Sequence, residues 1–462
     1  MMAKLREYSN QTVIDVEDGG NGIIKPEGRV VFVEGVLPGE VVDVRITRRK
    51  RDHAFGVVTE RHIDSADRIE PFCAHFAECG GCTWQYLPYP KQLDYKGRFV
   101  ADVLRRIGGI TEPVPLPIIG CDSDRLYRNK LEFSFSPTRW LSASEIDSGD
   151  AVDDRRALGF HVKGRFDRVI DIGTCYLQPD PSNAIRTAAR EIALRHDYSF
   201  HDPREHSGLL RGLTVRTTRD GEVMVILAIA EERPDVAESF LRELRDAVPR
   251  ISSAFYLVNT TQNDDSAPHP VHHAFGTETI SERCGPLSLT IHPKSFFQTN
   301  SSQAERLYGV VRDWAITDGS QTLLDLYCGI GSIGLFLADR VGRVIGVESV
   351  ADAVAGAREN ADRNGFTNTE FHAGDVRALL SGLPRPDIAV IDPPRAGMHP
   401  DVVEALIRMR PRQVIYVSCK PATQARDLKR LLSAFYIARI QPVDMFPQTF
   451  HIENVVDLRL AT

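Results

Sequence analysis

The sequence predicts an α/β protein. Its C-terminal part reads as a Rossmann-like, doubly wound parallel sheet, preceded by a small all-strand barrel and a central α+β region. Three observations carry this. From residue 322, apolar runs such as Thr322-Leu-Leu-Asp-Leu-Tyr327 and Arg343-Val-Ile-Gly-Val-Glu348 alternate with helical periods, the rhythm of strands joined by crossover helices. A glycine-rich turn, Gly329-Ile-Gly331-Ser-Ile-Gly334, follows the first run. The N-terminal 62 residues instead hold short strand-like runs divided by Asp18-Gly-Gly-Asn-Gly22 and Pro38-Gly39, the spacing of a small barrel.

Composition bounds the rest. The chain has 462 residues, 42% hydrophobic and 26% charged, which is globular usage and excludes general disorder. At ~150 residues per domain the prior is about three domains. A net charge of −7 excludes a general polycation, though not a local basic patch. No apolar run approaches the ~20 residues of a membrane span, and Met1–Glu7 lacks a signal-peptide core. The expected compartment is the cytoplasm, where eight cysteines read as thiols, ligands or nucleophiles rather than disulfides.

In the first region, Val30–Val33, Glu40–Ile46 and Phe55–Val58 are strand candidates. Arg45, Arg48, Arg49, Lys50, Arg51 and Arg61 face only Asp52 and Glu60 over residues 45–61. That is a solvated hairpin tip or a surface for RNA phosphates. Then comes Cys73-Ala-His-Phe-Ala-Glu-Cys79-Gly-Gly-Cys82. Three cysteines this close wrap a metal or cluster and need a fourth ligand. The candidates are Cys121, Cys175, Cys284 and His75, with Cys175 preferred because it leaves a strand in a turn. Spacing alone leaves zinc and a 4Fe–4S cluster both open. An amphipathic helix is expected from Lys91 to about Ile107, burying Leu93, Phe99, Val100, Val103 and Leu104.

Residues 125–290 read as antiparallel α+β, with strands at Lys130–Phe135, Val223–Leu227 and Ala254–Val258. Residues 141–156 and 259–275, the latter with Asp264-Asp265 and three histidines, read as loops. Cys121, Cys284 and Cys328 otherwise read as packing residues.

In the last region, helices are expected at Ala351–Asn364, 401–409 and 423–433, and further strands at Asp387–Asp392 and Gln413–Ser418. Glycines at 329, 331 and 334 let the backbone approach a ligand at a helix start. Glu348, ending the next strand, suits a ribose diol, which leaves a nicotinamide dinucleotide and S-adenosylmethionine both open. Asp392-Pro-Pro-Arg395 decides between them. An acid followed by two prolines at a strand end makes a rigid lip that holds an amino group or nucleobase beside a methyl donor, and hydride transfer needs no such lip. The competing class, a nicotinamide- or flavin-dependent iron–sulfur oxidoreductase, is disfavoured on that ground. Cys419, in Ser418-Cys-Lys-Pro-Ala-Thr423, lies past its strand and before a helix, so the helix start and Lys420 are expected to lower its thiol pKa. Glu453, beside Val455-Val456, is either a base with a raised pKa or an edge glutamate facing water.

Together these residues resemble the RNA uracil-5-methyltransferase family, in its iron–sulfur, TRAM-containing ribosomal-RNA branch. The resemblance spans nearly the whole chain and rests on Phe296-Phe-Gln298-Thr-Asn300, Asp325-Leu-Tyr-Cys-Gly-Ile-Gly331, Asp392-Pro-Pro-Arg395, Ser418-Cys-Lys-Pro-Ala-Thr423 and His451-Ile-Glu453. It implies a TRAM barrel over 1–62, a central α+β domain over 63–290 with the 91–107 helix packed on the catalytic domain, and a methyltransferase domain over 291–462. It implies S-adenosylmethionine contacts at Gln298, Tyr327, Gly329, Glu348 and Asp392, a nucleophile at Cys419 and a base at Glu453. It further implies a 4Fe–4S cluster on Cys73, Cys79, Cys82 and Cys175. The family usually has asparagine where this chain has Lys420. The expected partner is RNA, 23S ribosomal RNA before the thymine loop of transfer RNA, acted on by a monomer without a membrane.

Overall fold

The computed structural model describes residues 6–17, 19–149, 152–263 and 268–461. Asp18 and the Asp264-Asp265 pair lie outside the described residues. No helix among the described residues is long and apolar enough to cross a membrane.

The N-terminal sheet has six strands in the spatial order Glu7–Thr12, Val41–Arg49, His53–Ile63, Val30–Val33, Gly22–Ile24 and Asp15–Val16. It wraps around Val13, Ile24, Val31, Val33, Val42, Val44 and Ile46. His53–Ile63 is longer than its apolar stretch because it pairs with Val41–Arg49 along its length, and a backbone ladder does not require apolar side chains.

The central sheet has seven strands, in the order Val271–Gly276, Ser253–Val258, Val223–Ile229, Leu210–Thr217, Lys130–Ser136, Ala157–His161 and Val169–Asp171. Its pairs are antiparallel except Val223–Ile229 with Ser253–Val258. Helices Ser182–Arg195 and Pro234–Ala247 bury Ile185, Ala189, Ile192, Phe240 and Leu244 against it. The sequence reading departs from the structure at 259–275, read as a loop, where Val271–Gly276 is a strand, and at 141–156, which contains a helix at Ala143–Ser148. A capping box nucleates it: Glu145 N donates to Ser142 Oγ and Ser142 N to the Glu145 carboxylate.

The third sheet runs Thr369–Ala373, Arg343–Glu348, Thr322–Leu326, Ile388–Ile391, Gln413–Ser418, Glu453–Leu460, Phe435–Val443. The first five strands are parallel and the last two antiparallel. The long N-terminal helix, Tyr89–Val103 extended by a wider turn over Leu104–Gly108, buries Val100, Val103 and Leu104 among Leu324, Ala389, Val414 and Leu428 of this third layer. Its buried stripe also contains Gln92 and Lys96, two polar residues that apolar periodicity cannot reveal.

Candidate active site

The register of the third sheet assembles the site. Leu326 pairs with both Val347 and Ile391, Ile391 pairs with Tyr416, and Ser418 pairs with Asn454. One step further, Tyr327, Glu348, Asp392, Cys419 and Glu453 therefore share one rim. It is the carboxyl edge of the parallel strands, where open α/β sheets place their ligands. Cys419 and Glu453 stand at opposed positions of neighbouring antiparallel strands.

Around the glycine turn, Tyr327 and Cys328 both donate their N–H to Val347 O. Tyr327 has a φ of 64° and Gly329 one of 55°. Gly329 N–H donates to Glu348 Oε2 at 3.2 Å, and Glu348 Oε1 accepts from Val350 N and Ser349 Oγ. A Cβ at Gly329 would meet no other atom within 4 Å, whereas at Gly334 it would approach Asp325 Oδ2 to 2.8 Å. Asp325 is buried. Its Oδ2 accepts from Gly334 N at 2.8 Å, and its Oδ1 has no partner. Burial pushes its carboxyl up to about 7, with Asp392 and Glu348 adding. An open backbone beside the Glu348 carboxylate and the one unpartnered oxygen of Asp325 fits a cationic, ribose-bearing ligand.

The Asp392 lip is tied to helix Pro421–Leu431, which follows the neighbouring strand, by Thr423 Oγ1 on Arg395 O (3.3 Å) and Arg426 on Ala396 O (3.0 Å). Burial pushes the Asp392 carboxyl up to about 7. Glu453 is 2% exposed and its Oε2 has no partner. Burial raises this carboxyl well above its ordinary value, and Asp392 adds to the effect while Arg395 opposes it.

Cys419 corrects the sequence reading. Its thiol is pushed up to about 11, by burial first and then by the Glu453 and Asp392 carboxyls. The helix start does not win, and Lys420 is exposed. Among these neighbours only Arg395 lowers the thiol by its charge. The sequence reading gave Arg395 no role. It belongs to a motif already singled out, but only the folded lip brings it toward both reacting groups.

Gln298 is buried at the start of helix Ser301–Trp314, which Asn300 caps by accepting from Gln303 N. Asn129 Nδ2 donates to Gln298 O (2.9 Å) and Ser301 Oγ (2.8 Å), which fixes this segment. Residues 444–452, which lead into Glu453, are held from the other end of the chain. Lys96 Nζ donates to Asp444 Oδ1 (2.7 Å) and Phe446 O (3.0 Å) with both side chains buried. Tyr89 OH donates to Asp444 Oδ2, Gln92 Nε2 to Gln448 Oε1, and Thr83 N to Gln448 O. Within this segment, burial pulls His451 down to about 4, helped by Arg395, Lys96 and Arg128, so its imidazole is neutral near pH 7.

A second centre holds Cys73, Cys79, Cys82 and Cys175 around a cavity of about 340 Å³. Of the fourth-ligand candidates, the fold brings Cys175 to the triplet. Cys121 instead packs against Asp444 O and Asn300, Cys284 is buried elsewhere, and His75 accepts from Gly173 N. Burial raises all four thiols, Cys79 to about 11 and Cys82 to about 12. Binding of a metal to such thiols would release their protons. A tetrahedral zinc with bonds of ~2.3 Å needs its sulfurs roughly 3.8 Å apart. Among the described residues, the one set of three or more His, Cys, Asp or Glu ligand atoms within 4.8 Å of each other is Asp43, Glu60 and His62. The four sulfurs are thus spread more widely than a single tetrahedral ion requires.

On the N-terminal barrel, Arg45, Arg48, Arg49, Lys50 and Arg51 are exposed, and none is in an ion pair among the described residues. Arg61 differs, since it is committed to Glu40 at 3.2 Å.

Comparison with known proteins agrees with this architecture. The TRAM domain family matches residues 12–59, a methyltransferase domain family residues 323–409, and the tRNA (Uracil-5-)-methyltransferase family residues 386–460. An RNA methyltransferase of Bacteroides thetaiotaomicron is 43% identical, the match covering 96% of this chain and 99% of that one. One of Porphyromonas gingivalis is 40% identical, covering 96% and 98%. The crystal structure of Pyrococcus abyssi tRNA (uracil-54, C5)-methyltransferase with S-adenosyl-L-homocysteine superposes with a TM-score of 0.76 at 28% identity, covering 97% of this chain and all of that one. A TRAM match followed by methyltransferase and tRNA (Uracil-5-)-methyltransferase matches, in a chain that these relatives cover almost end to end, makes this protein a member of the RNA uracil-5-methyltransferase family.

Proposed function

We propose that the protein uses S-adenosylmethionine to make 5-methyluridine in 23S ribosomal RNA through a transient bond between Cys419 and carbon 6 of the target uracil. The observation that carries this is the opposed placement of Cys419 and Glu453 beside Asp392. Carbon 5 of uracil is a poor nucleophile. When the Cys419 thiol gives its proton to solvent and the sulfur adds to carbon 6, the carbon 5–carbon 6 π electrons shift onto the ring carbonyl and the ring becomes an enolate whose carbon 5 is electron-rich. Gln298, Tyr327, Gly329, Glu348 and Asp392 would hold the donor, and carbon 5 takes its methyl group as the sulfonium–methyl bond breaks and S-adenosylhomocysteine leaves. Glu453, in the carboxylate form that Arg395 favours, then takes the carbon-5 proton, and the C–S bond breaks to release Cys419 and the methylated base. Arg395, the cation facing both groups, favours thiolate and carboxylate over their protonated forms. The base must leave its stack to reach this rim, with the barrel's five unpaired cations holding flanking phosphates.

Cys73, Cys79, Cys82 and Cys175 would hold a 4Fe–4S core that fastens the 73–82 loop to the central sheet, a structural role. The wide spread of the sulfurs supports it over zinc. We divide the chain into a barrel to residue 62, a central domain to 290 and a catalytic domain beyond. Eight free thiols suit the reducing cytoplasm.

The test is to map 5-methyluridine in ribosomal and transfer RNA from cells with and without the gene, and to assay purified Cys419→Ala. One 23S position should lose its methyl group, and the variant should bind donor but transfer nothing. Turnover by Cys419→Ala would refute the adduct. A second reading, the thymine loop of transfer RNA, is favoured by the Pyrococcus neighbour's own substrate, and loss of the methyl group there would select it.

A further inference from the structure

The segment 126–129 runs between the two centres. On one side Leu126 N donates to Tyr176 O and Arg128 N to Leu177 O, which holds it to the loop that follows Cys175. On the other, Asn129 N donates to Thr299 O and its side chain to Gln298 O. Arg128 and Thr299 both line the four-cysteine cavity. Each carries a buried polar atom without a partner, Arg128 Nε and Thr299 Oγ1. Buried donors are rarely left unpaired, because desolvation without a replacement bond is costly. Two such atoms on one wall of a cavity lined by four thiols point to an acceptor inside it. Sulfur of an iron–sulfur core is such an acceptor, and N–H or O–H donors to it set its potential. Arg128 also reaches the other centre. Its guanidinium carbon lies 5.9 Å from the Phe446 ring, and that ring lies 6.1 Å from His451, two residues before Glu453. Its charge bears on both the Cys175 thiol and the His451 imidazole.

We infer that Arg128 and Thr299 donate hydrogen bonds to the sulfur of the iron–sulfur core, and that Arg128 is the positioning residue through which that core is coupled to the RNA pocket. This rests on the cluster reading above. A nearby cation and two donors stabilise the more negative, reduced core, so removing either residue must lower its potential.

The test uses the full chain, reconstituted anaerobically with ferrous iron and sulfide, with iron and sulfide counted before any potential is read. Arg128→Met and Thr299→Val should keep the wild-type iron content. Spectroelectrochemical titration should place Arg128→Met at least 59 mV lower, a tenfold change in the reduced-to-oxidised ratio for one electron. Thr299→Val should shift less, in the same direction. Arg128→Met should also raise KM for RNA severalfold with unchanged donor affinity, whereas Thr299→Val should not. Full iron content with unmoved potentials would overturn the inference, and if Arg128→Met does not fold, Thr299→Val decides. Wild-type protein that takes up no iron and sulfide would instead bring down the cluster reading, and this inference with it.

Discussion

Replacing Glu453 by glutamine separates what the carboxyl does for the reaction from what it costs the fold. The side chain is 2% exposed, and one of its oxygens has no partner. Burial and the nearby Asp392 raise its pKa well above the ordinary value. In the unfolded chain it titrates near ~4.3. Between that pH and its folded value, the folded protein keeps a proton that the unfolded chain has released. Stability of the wild type therefore falls as pH rises, by about 1.4 kcal/mol per unit. Glutamine does not titrate and removes the charge that Asp392 faces. The stability of Glu453→Gln relative to wild type should therefore grow as pH rises above the ordinary carboxylate range, and the gap in melting temperature should widen with it. Calorimetric melts of both proteins at pH 5, 6 and 7 measure it. In the same preparation, turnover with RNA should stall before elimination, and a protein–RNA adduct should accumulate on denaturing gels. A pH-independent gap would refute the buried, proton-holding carboxyl. Absence of adduct would refute its role as base.

The Cys419 thiol, pushed up to about 11, should gain reactivity with pH. Iodoacetamide labelling of its peptide, read by mass spectrometry, should rise about 100-fold from pH 7 to pH 9, because thiolate grows tenfold per unit below the pKa; a plateau above pH 7 would contradict this. Lys96→Met leaves the buried Asp444 carboxylate without its cation and should cost about 3–5 kcal/mol in thermal or denaturant melts, while Lys96→Met with Asp444→Leu should regain most of it. Serine at Arg45, Arg48, Arg49, Lys50 and Arg51 should reduce the slope of log K against log salt for single-stranded RNA by up to about 3.5, measured by fluorescence anisotropy.

Much of the catalytic layer could be read in the sequence because its strands are buried on both faces and appear as unbroken apolar runs, as at Ile388–Ile391 and Gln413–Ser418. The glycine turn and the Asp392 lip were legible for a related reason: their chemistry is local and leaves its residue types adjacent. What hid was long-range. The ionisation of Cys419 depends on Glu453 and Asp392, which only the strand register brings near it, so the local argument from Lys420 and the helix start gave the wrong direction. The long N-terminal helix starts two residues before the expected Lys91, with Pro90 in its first turn, where proline is well placed. The short helix at Ala143–Ser148 was missed because its signal is a capping pair in an otherwise polar stretch.

The Lys96–Asp444 pair joins residues 348 positions apart. During synthesis at ~5–20 residues per second, the ammonium on the early helix waits roughly 20–70 s for its carboxylate to leave the ribosome. Until then the helix carries a charged group on the face destined for the interior, so docking of its apolar neighbours is delayed with it. The helix thus waits for the last segment while the barrel and the central sheet, whose cores close within residues 13–54 and 131–256, do not, and a protein truncated before residue 444 would leave Lys96 without its carboxylate.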